Sequence, residues 1–230
     1  MRGRAVAVAV LLGLAAACGG GGGGGEAADD DLASTGDRDD AALAADANLR
    51  ISDFPTEWQS SPIPQATVEA TVEANRALAD CMGRPRPEEI RTAVADSEDF
   101  SAQDTRRVTS SVQVVRTEEI ARDDFAVLRT DQALACHKSL IDAEFARQLP
   151  PEASPQTTIG VLDMPQFAED TVAYRIVATV LDRGSQVRTY IDLVFVRKGR
   201  VEASVNFLNV GSAFPTDLQR SLLQRLVSRL

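Results

Sequence analysis

The clearest pattern lies in the last third of the chain. Residues 157–162, 170–181, 186–197 and 200–210 are runs of Val, Ile, Leu, Phe and Tyr, with Asp182-Arg183-Gly184-Ser185 and Lys198-Gly199 between the longer ones. Apolar runs joined by turns of hairpin length predict consecutive antiparallel strands. These strands do not alternate cleanly. Val172, Tyr174, Ile176 and Val180 fall on one face, and Ala173, Val177 and Leu181 on the other. In the next run Ile191, Leu193 and Phe195 oppose Val194 and Val196. A sheet that is apolar on both faces must be covered on both.

Helical periodicity supplies the cover. Val68, Val72, Leu78 and Met82 recur at helical spacing and Gly83 follows as a stop, predicting a helix over 67–82. Pro87, followed by Glu88 and Glu89, opens a second helix running to about Ala95. After the polar stretch 96–104, read as loop with Phe100 tucked inward, Val108, Ser110, Val112 and Val114 mark one face of a strand over 107–116. Thr117 caps a helix with Ala121, Phe125 and Leu128 on its face. A further helical stretch carries Leu134, Leu140, Ile141 and Phe145 and closes at Pro150-Pro151. The last helix starts at Thr216, with Gln219 three residues on as a capping box, and presents Leu218, Leu222, Leu226 and Leu230. Upstream, Leu49, Ile51 and Phe54 predict a short strand ending at Pro55, and 60–65 reads as loop. The fold class is α+β, a meander-like antiparallel sheet between helical layers.

The first fifty residues follow different rules. Arg2 and Arg4, an apolar run from Ala5 to Leu14, and Ala15-Ala16-Ala17 before Cys18 have the three parts of an export signal. About ten apolar residues are too few to span a bilayer. The segment resembles the bacterial lipobox, with Leu14 four residues before the cysteine. That resemblance makes residues 1–17 a signal peptide and Cys18 the first mature residue, diacylated and anchored in the membrane. Seven glycines follow, and Glu26 to Asp46 holds eight acids and one Arg. Such a stretch buries too little apolar surface to offset chain entropy. Residues 18–48 are therefore expected to form a tether, roughly 30 Å in root-mean-square reach, with the single folded domain over 49–230. Asp37-Arg38-Asp39-Asp40 lacks the glycine and terminal glutamate of a calcium loop and reads as solvated tail.

Charge and cysteines then narrow the function. The net charge is −10, and the tail carries most of the excess, so no clustered basic face for nucleic acid is expected. Cys18, Cys81 and Cys136 are the three cysteines. With Cys18 lipidated, Cys81 and Cys136 remain as an even pair, a disulfide by default in an exported protein. The bridge closes a loop of about 55 residues, for about 4 kcal/mol in the loop-entropy picture.

Catalytic chemistry does not assemble. The sole histidine, His137, adjoins Cys136 on a helix; residues one apart do not share a face, so a partly exposed position is expected. Three or four convergent metal ligands cannot be gathered around it. No serine sits in a Gly-flanked elbow, and no glycine loop precedes a Lys-Ser/Thr helix. Asp163, Glu169 and Asp170 are too scattered for a carboxylate pair. No enzyme, cofactor or metal is expected. Trp58, Phe167, Tyr174 and Tyr190, with Phe54, Phe207 and Phe214, are groove candidates between helix and sheet, or simply core.

Ile51-Ser52-Asp53-Phe54-Pro55-Thr56-Glu57-Trp58 resembles the proline-to-tryptophan opening of the PsbP-like fold, the group that includes the mycobacterial lipoprotein LpqN. Val112 to Cys136, a strand followed by a helix with a late cysteine, resembles the extracellular sensor domain of PknH-type mycobacterial kinases and related actinobacterial lipoproteins. The resemblance implies an α-β-α sandwich with a cleft and a non-enzymatic role in sensing or binding. The expected protein is thus a lipoprotein on the outer face of the cytoplasmic membrane. Its extracytoplasmic domain would bind an envelope protein or a small hydrophobic ligand. The alternative is a carrier of lipid or another hydrophobic molecule with an apolar cavity.

Overall fold

The computed structural model describes residues 35–103, 105–149, 155–182 and 185–230. The expected signal peptide, Cys18, the glycine run, Pro150-Pro151 and Arg183-Gly184 lie outside the described residues.

The architecture is α+β. Helix α1 (Thr35–Ala47) is followed by a 3-10 turn (Ile51–Asp53), β1 (Gln59–Ser61), α2 (Gln65–Met82), α3 (Pro87–Ile90), β2 (Arg91–Asp96), β3 (Asp99–Ala102) and β4 (Arg106–Val115). Then come α4 (Glu118–Leu128), α5 (Asp131–Gln148), β5 (Gln156–Val161), β6 (Asp170–Asp182), β7 (Ser185–Lys198), β8 (Val201–Val210) and α6 (Thr216–Val227). The strands form one antiparallel sheet in the order β1-β3-β4-β8-β7-β6-β5. β2 shares β4 with β3: β3 pairs with its first residues and β2 with its last. The β7–β8 turn places Gly199 at φ +59°, which a side chain disfavours. Gly83 ends α2 in the same left-handed region.

The sheet is covered on both faces, as its two-sided apolar pattern demands. Val108, Val112, Val114, Val194, Val196, Ala203, Val205 and Phe207 pack against α1 and α6, chiefly Ala44, Ala47, Leu222, Leu223 and Leu226. The opposite face, with Tyr174, Ile176, Ile191, Leu193 and Leu208, meets Phe125 and Leu128 of α4 and Ile141 and Phe145 of α5. Helix α2 lies along α5, joined by Leu78, Met82, Ala133 and Cys136. Cys81 and Cys136 are bonded there, their Cα atoms 5.9 Å apart.

Several sequence expectations are corrected. The folded part begins before residue 49: the acidic Ala-rich stretch 35–47 is helical and docks on β2 and β4. Composition does not foresee this, because the apolar residues α1 buries fully are alanines, and its buried Asp40 is met by long-range partners. Asp40 accepts from Thr92 Oγ1 at 2.6 Å and pairs with Arg200. Arg229, just beyond α6, donates to Asn48 O at 2.9 Å and to both oxygens of Asp53. The Leu49–Phe54 stretch is therefore a 3-10 turn rather than a strand, with Asp53 Oδ2 accepting the Arg50 N–H at 3.0 Å. The helix opened by Pro87 stops at Ile90, because 91–96 is taken up as a β partner by β4. The polar loop 96–104 contains β3, and β1 runs into the start of the expected loop at 60–65. Gln219 caps nothing: its Nε2 donates to Asp192 Oδ2 at 3.1 Å beneath α6.

Candidate functional site

The expected aromatic groove does not form. Trp58 is buried against Phe54 (ring centroids 4.9 Å apart) and Phe214 (6.2 Å), and Phe54 continues the cluster to Phe100 at 4.5 Å. Phe167 packs half-buried on the same cluster. Tyr190, also half-buried, lies on the α1/α6 face of β7, two residues from Asp192. Tyr174 faces the other way, buried beneath α4, where its hydroxyl donates to Leu128 O. Burial pushes this phenol up to about 12, so it stays neutral. The four candidates thus divide between two faces of the sheet.

A different site lies on the α4/α5 face, and strand register builds its floor. Gln113 stands opposite Glu202 across β4–β8, and Ser111 opposite Ser204. Arg197 and Phe195 on β7 stand opposite the same Glu202 and Ser204. The two serines face each other between larger neighbours, so the sheet cannot fill the space beneath the helices. The walls are Leu78, Ala79 and Met82 of α2, Pro85 and Pro87 beyond its end, Ile90, and Phe125 and Leu128 of α4, with His137 of α5 alongside. The resulting cavity measures ≈ 50 Å³, counting positions open to the centre of a water molecule. At about 10–15 Å³ each, that is room for about four water-sized groups.

The floor is charged as well as buried. Arg84, just past the Gly83 stop, pairs with Asp124 of α4, both side chains largely buried. Gln113 Nε2 donates to Glu202 Oε2, while Glu202 Oε1 has no hydrogen-bond partner. Arg84 Nε likewise lacks a hydrogen bond, while Asp124 Oδ2 is held by the other end of the Arg84 guanidinium. Burial raises the Asp124 carboxyl, opposed by the Arg84 charge. Burial, reinforced by the negative charge of Asp124, pushes Glu202 up to about 8. Glu202 is therefore mostly protonated at neutral pH.

His137 corrects the sequence expectation, being buried rather than partly exposed. Helix α5 is enclosed from two sides: Cys136 turns towards α2, and His137 towards the sheet, 5.2 Å from the Tyr174 ring and 6.1 Å from Phe195. His137 Nδ1 lies 2.7 Å from Ala133 O. A carbonyl only accepts, so Nδ1 carries the proton and Nε2 remains the acceptor of the neutral ring. Burial lowers its pKa and keeps it neutral. Among the described residues, no three His, Cys, Asp or Glu side chains are grouped to hold a metal ion.

Sequence reading did not single out Arg84, Gln113, Asp124 or Glu202. One signal was available. In a sheet covered on both faces, a carboxylate in mid-strand has no solvent side to occupy. Glu202 and Asp192 are two such residues. Asp192 is completed by Arg175, at 2.6 and 2.7 Å, and by Gln219; Glu202 is not completed by a cation. A second, more open depression of ≈ 300 Å³ beside Asn48, Ile51 and Asp96 lacks a buried unpartnered polar atom among the described residues.

No protein-family model matches the chain, and no curated protein does. Among solved structures, the chain is similar to the extracellular domain of PknH from Mycobacterium tuberculosis. The identity is 12%, the TM-score 0.42, and the match covers 80% of this chain and 92% of that one. It is similar also to a putative uncharacterized protein from Mycobacterium smegmatis, at 12% identity and a TM-score of 0.44, over 83% of this chain and 97% of that one. Likenesses of this size carry nothing about ligand or partner.

Proposed function

We propose that this protein is a non-enzymatic binding module, exported and held at the outer face of the membrane by a lipid on Cys18, and that its ligand site is the cavity between α2, α4 and the sheet. The observation that carries the reading is Glu202 Oε1, a buried polar atom without a hydrogen-bond partner on the floor of an apolar-walled cavity. Such a group costs folding free energy, of order 1–3 kcal/mol, which a stabilising contact from a ligand would offset. Apolar walls with a few convergent polar groups are the usual make-up of small-molecule sites. A flat interface for an envelope protein has no comparable support among the described residues, where the exposed large apolar side chains Ile51, Val161 and Leu181 are scattered. The lipid-carrier alternative fares worse, since ≈ 50 Å³ is too little for an acyl chain.

NMR titration of isotopically labelled protein with small amphiphiles tests the site. Shifts should gather at Gln113, Phe125, His137 and Phe195; an unchanged spectrum at millimolar concentration would end this reading. The anchor is tested separately. Radiolabelled palmitate should enter the wild-type protein and not Cys18→Ala, and equal labelling of the two would remove the lipid from the proposal.

A further inference from the structure

The site's charges are unevenly matched. Arg84 is paired with Asp124. Arg197 is held by Asp170 at 2.7 Å and by Glu169 at 2.9 Å. Glu202 receives only the amide of Gln113, and no cation bonds to it among the described residues. Glu202 is thus the one carboxyl of the site without a bonded cation, its Oε1 open to the cavity beside the Nε2 acceptor of the neutral His137 ring. A ligand cation with hydrogen-bond donors would balance that carboxyl once it ionises.

We infer that the cavity takes a small primary amine, its ammonium on Glu202 Oε1 and its apolar body against Phe125, Phe195 and Met82. The inference rests on the cavity being the ligand site. In binding, the ammonium keeps its protons, the Glu202 carboxylic acid releases one proton to solvent, and the resulting carboxylate pairs with the cation. The groups facing Glu202 are Arg84 from the segment after α2, Asp124 from α4, Arg197 from β7 and Gln113 from β4, with His137 of α5 lining the same cavity. Burial raises the Asp124 carboxyl against the opposing Arg84 charge, and burial lowers His137, which stays neutral.

The test is NMR titration of the intact protein with isobutylamine and with isobutanol, its neutral counterpart of equal size, at pH 6, 7, 8 and 9. An alkylamine has a pKa near that of lysine, about 10.4, and stays charged throughout. Amine affinity should rise about tenfold from pH 6 to 7 and level off above about 8. Isobutanol should bind at least tenfold more weakly at pH 8, without pH dependence. Glu202→Gln, which imitates the protonated side chain, should reduce the amine to the level of the alcohol and remove the slope. Equal, pH-independent binding of amine and alcohol would overturn the ligand class and leave the cavity reading intact. Binding of neither probe would overturn both.

Discussion

Glu202 makes the sharpest prediction, because its carboxyl titrates differently in the folded and unfolded chain. Its ordinary value is 4.5 and burial beside Asp124 pushes it up to about 8. Below pH 4.5 both states hold the proton and its titration costs nothing. Between 4.5 and 8 the unfolded chain ionises while the folded one keeps its proton, so stability falls as pH rises. Above about 8 both states are ionised and the loss is complete. Each pH unit in that window is worth at most about 1.4 kcal/mol, giving a ceiling of about 5 kcal/mol. Glu202→Gln cannot ionise and should escape the loss. Urea denaturation, followed through the single buried Trp58, measures the difference. Wild type and Glu202→Gln should differ by about 1 kcal/mol or less at pH 5. The variant should be more stable by several kcal/mol at pH 8.5, a large fraction of a domain's total of roughly 5–15 kcal/mol. Parallel stability curves for the two proteins from pH 4.5 to 8.5 would refute the claim that this carboxyl is buried without a bonded cation.

Three further outcomes are expected. Replacing Cys81 and Cys136 together by Ala should lower stability by about 4 kcal/mol, measured by urea denaturation, since a loop of separation 55 is then free in the unfolded chain. Arg84→Met should cost about 3–5 kcal/mol by leaving the Asp124 carboxylate buried alone, and Arg84→Met with Asp124→Leu should recover most of it; a double variant no better than the single one would mean that the pair acts mainly by packing. A chain beginning at residue 35 should melt like the longer protein. One beginning at residue 49 loses Ala44, Ala47 and the Asp40–Arg200 pair, and should lose more than about 2 kcal/mol in urea, the scale of a single buried side chain.

Local chemistry and its limits explain which elements were legible beforehand. Thr117 and Thr130 cap α4 and α5 through their own side chains, and Gly83 stops α2 by adopting a left-handed conformation. Those are contacts within a few residues, so sequence reports them. Local pattern reads 91–96 as helix because its strand character comes from β4, about 20 residues away. Composition reads helix α1 as tether because its docking depends on Thr92, Arg200 and the Arg229 contacts to Ala47 and Asn48, up to about 180 residues distant.

Sequence by itself determined the class of fold, the two-sided burial of the sheet and two cysteines within the folded part, Cys81 and Cys136, that can pair. Periodicity, turn length and cysteine count are properties that a chain carries before it folds. Tertiary structure alone decided where the polar site lies. Glu202, Gln113, Asp124 and Arg84 come from two strands, a helix and the residue after a helix stop, spread over more than a hundred positions. Only strand register and the packing of α2 and α4 bring them together. Their charges change meaning there, because a carboxyl that bulk solvent would ionise is held protonated by burial and the nearby Asp124 charge, with no cation bonded to it. The same packing separated Trp58, Phe167, Tyr174 and Tyr190, whose aromatic character is visible in the sequence but whose side of the sheet is not.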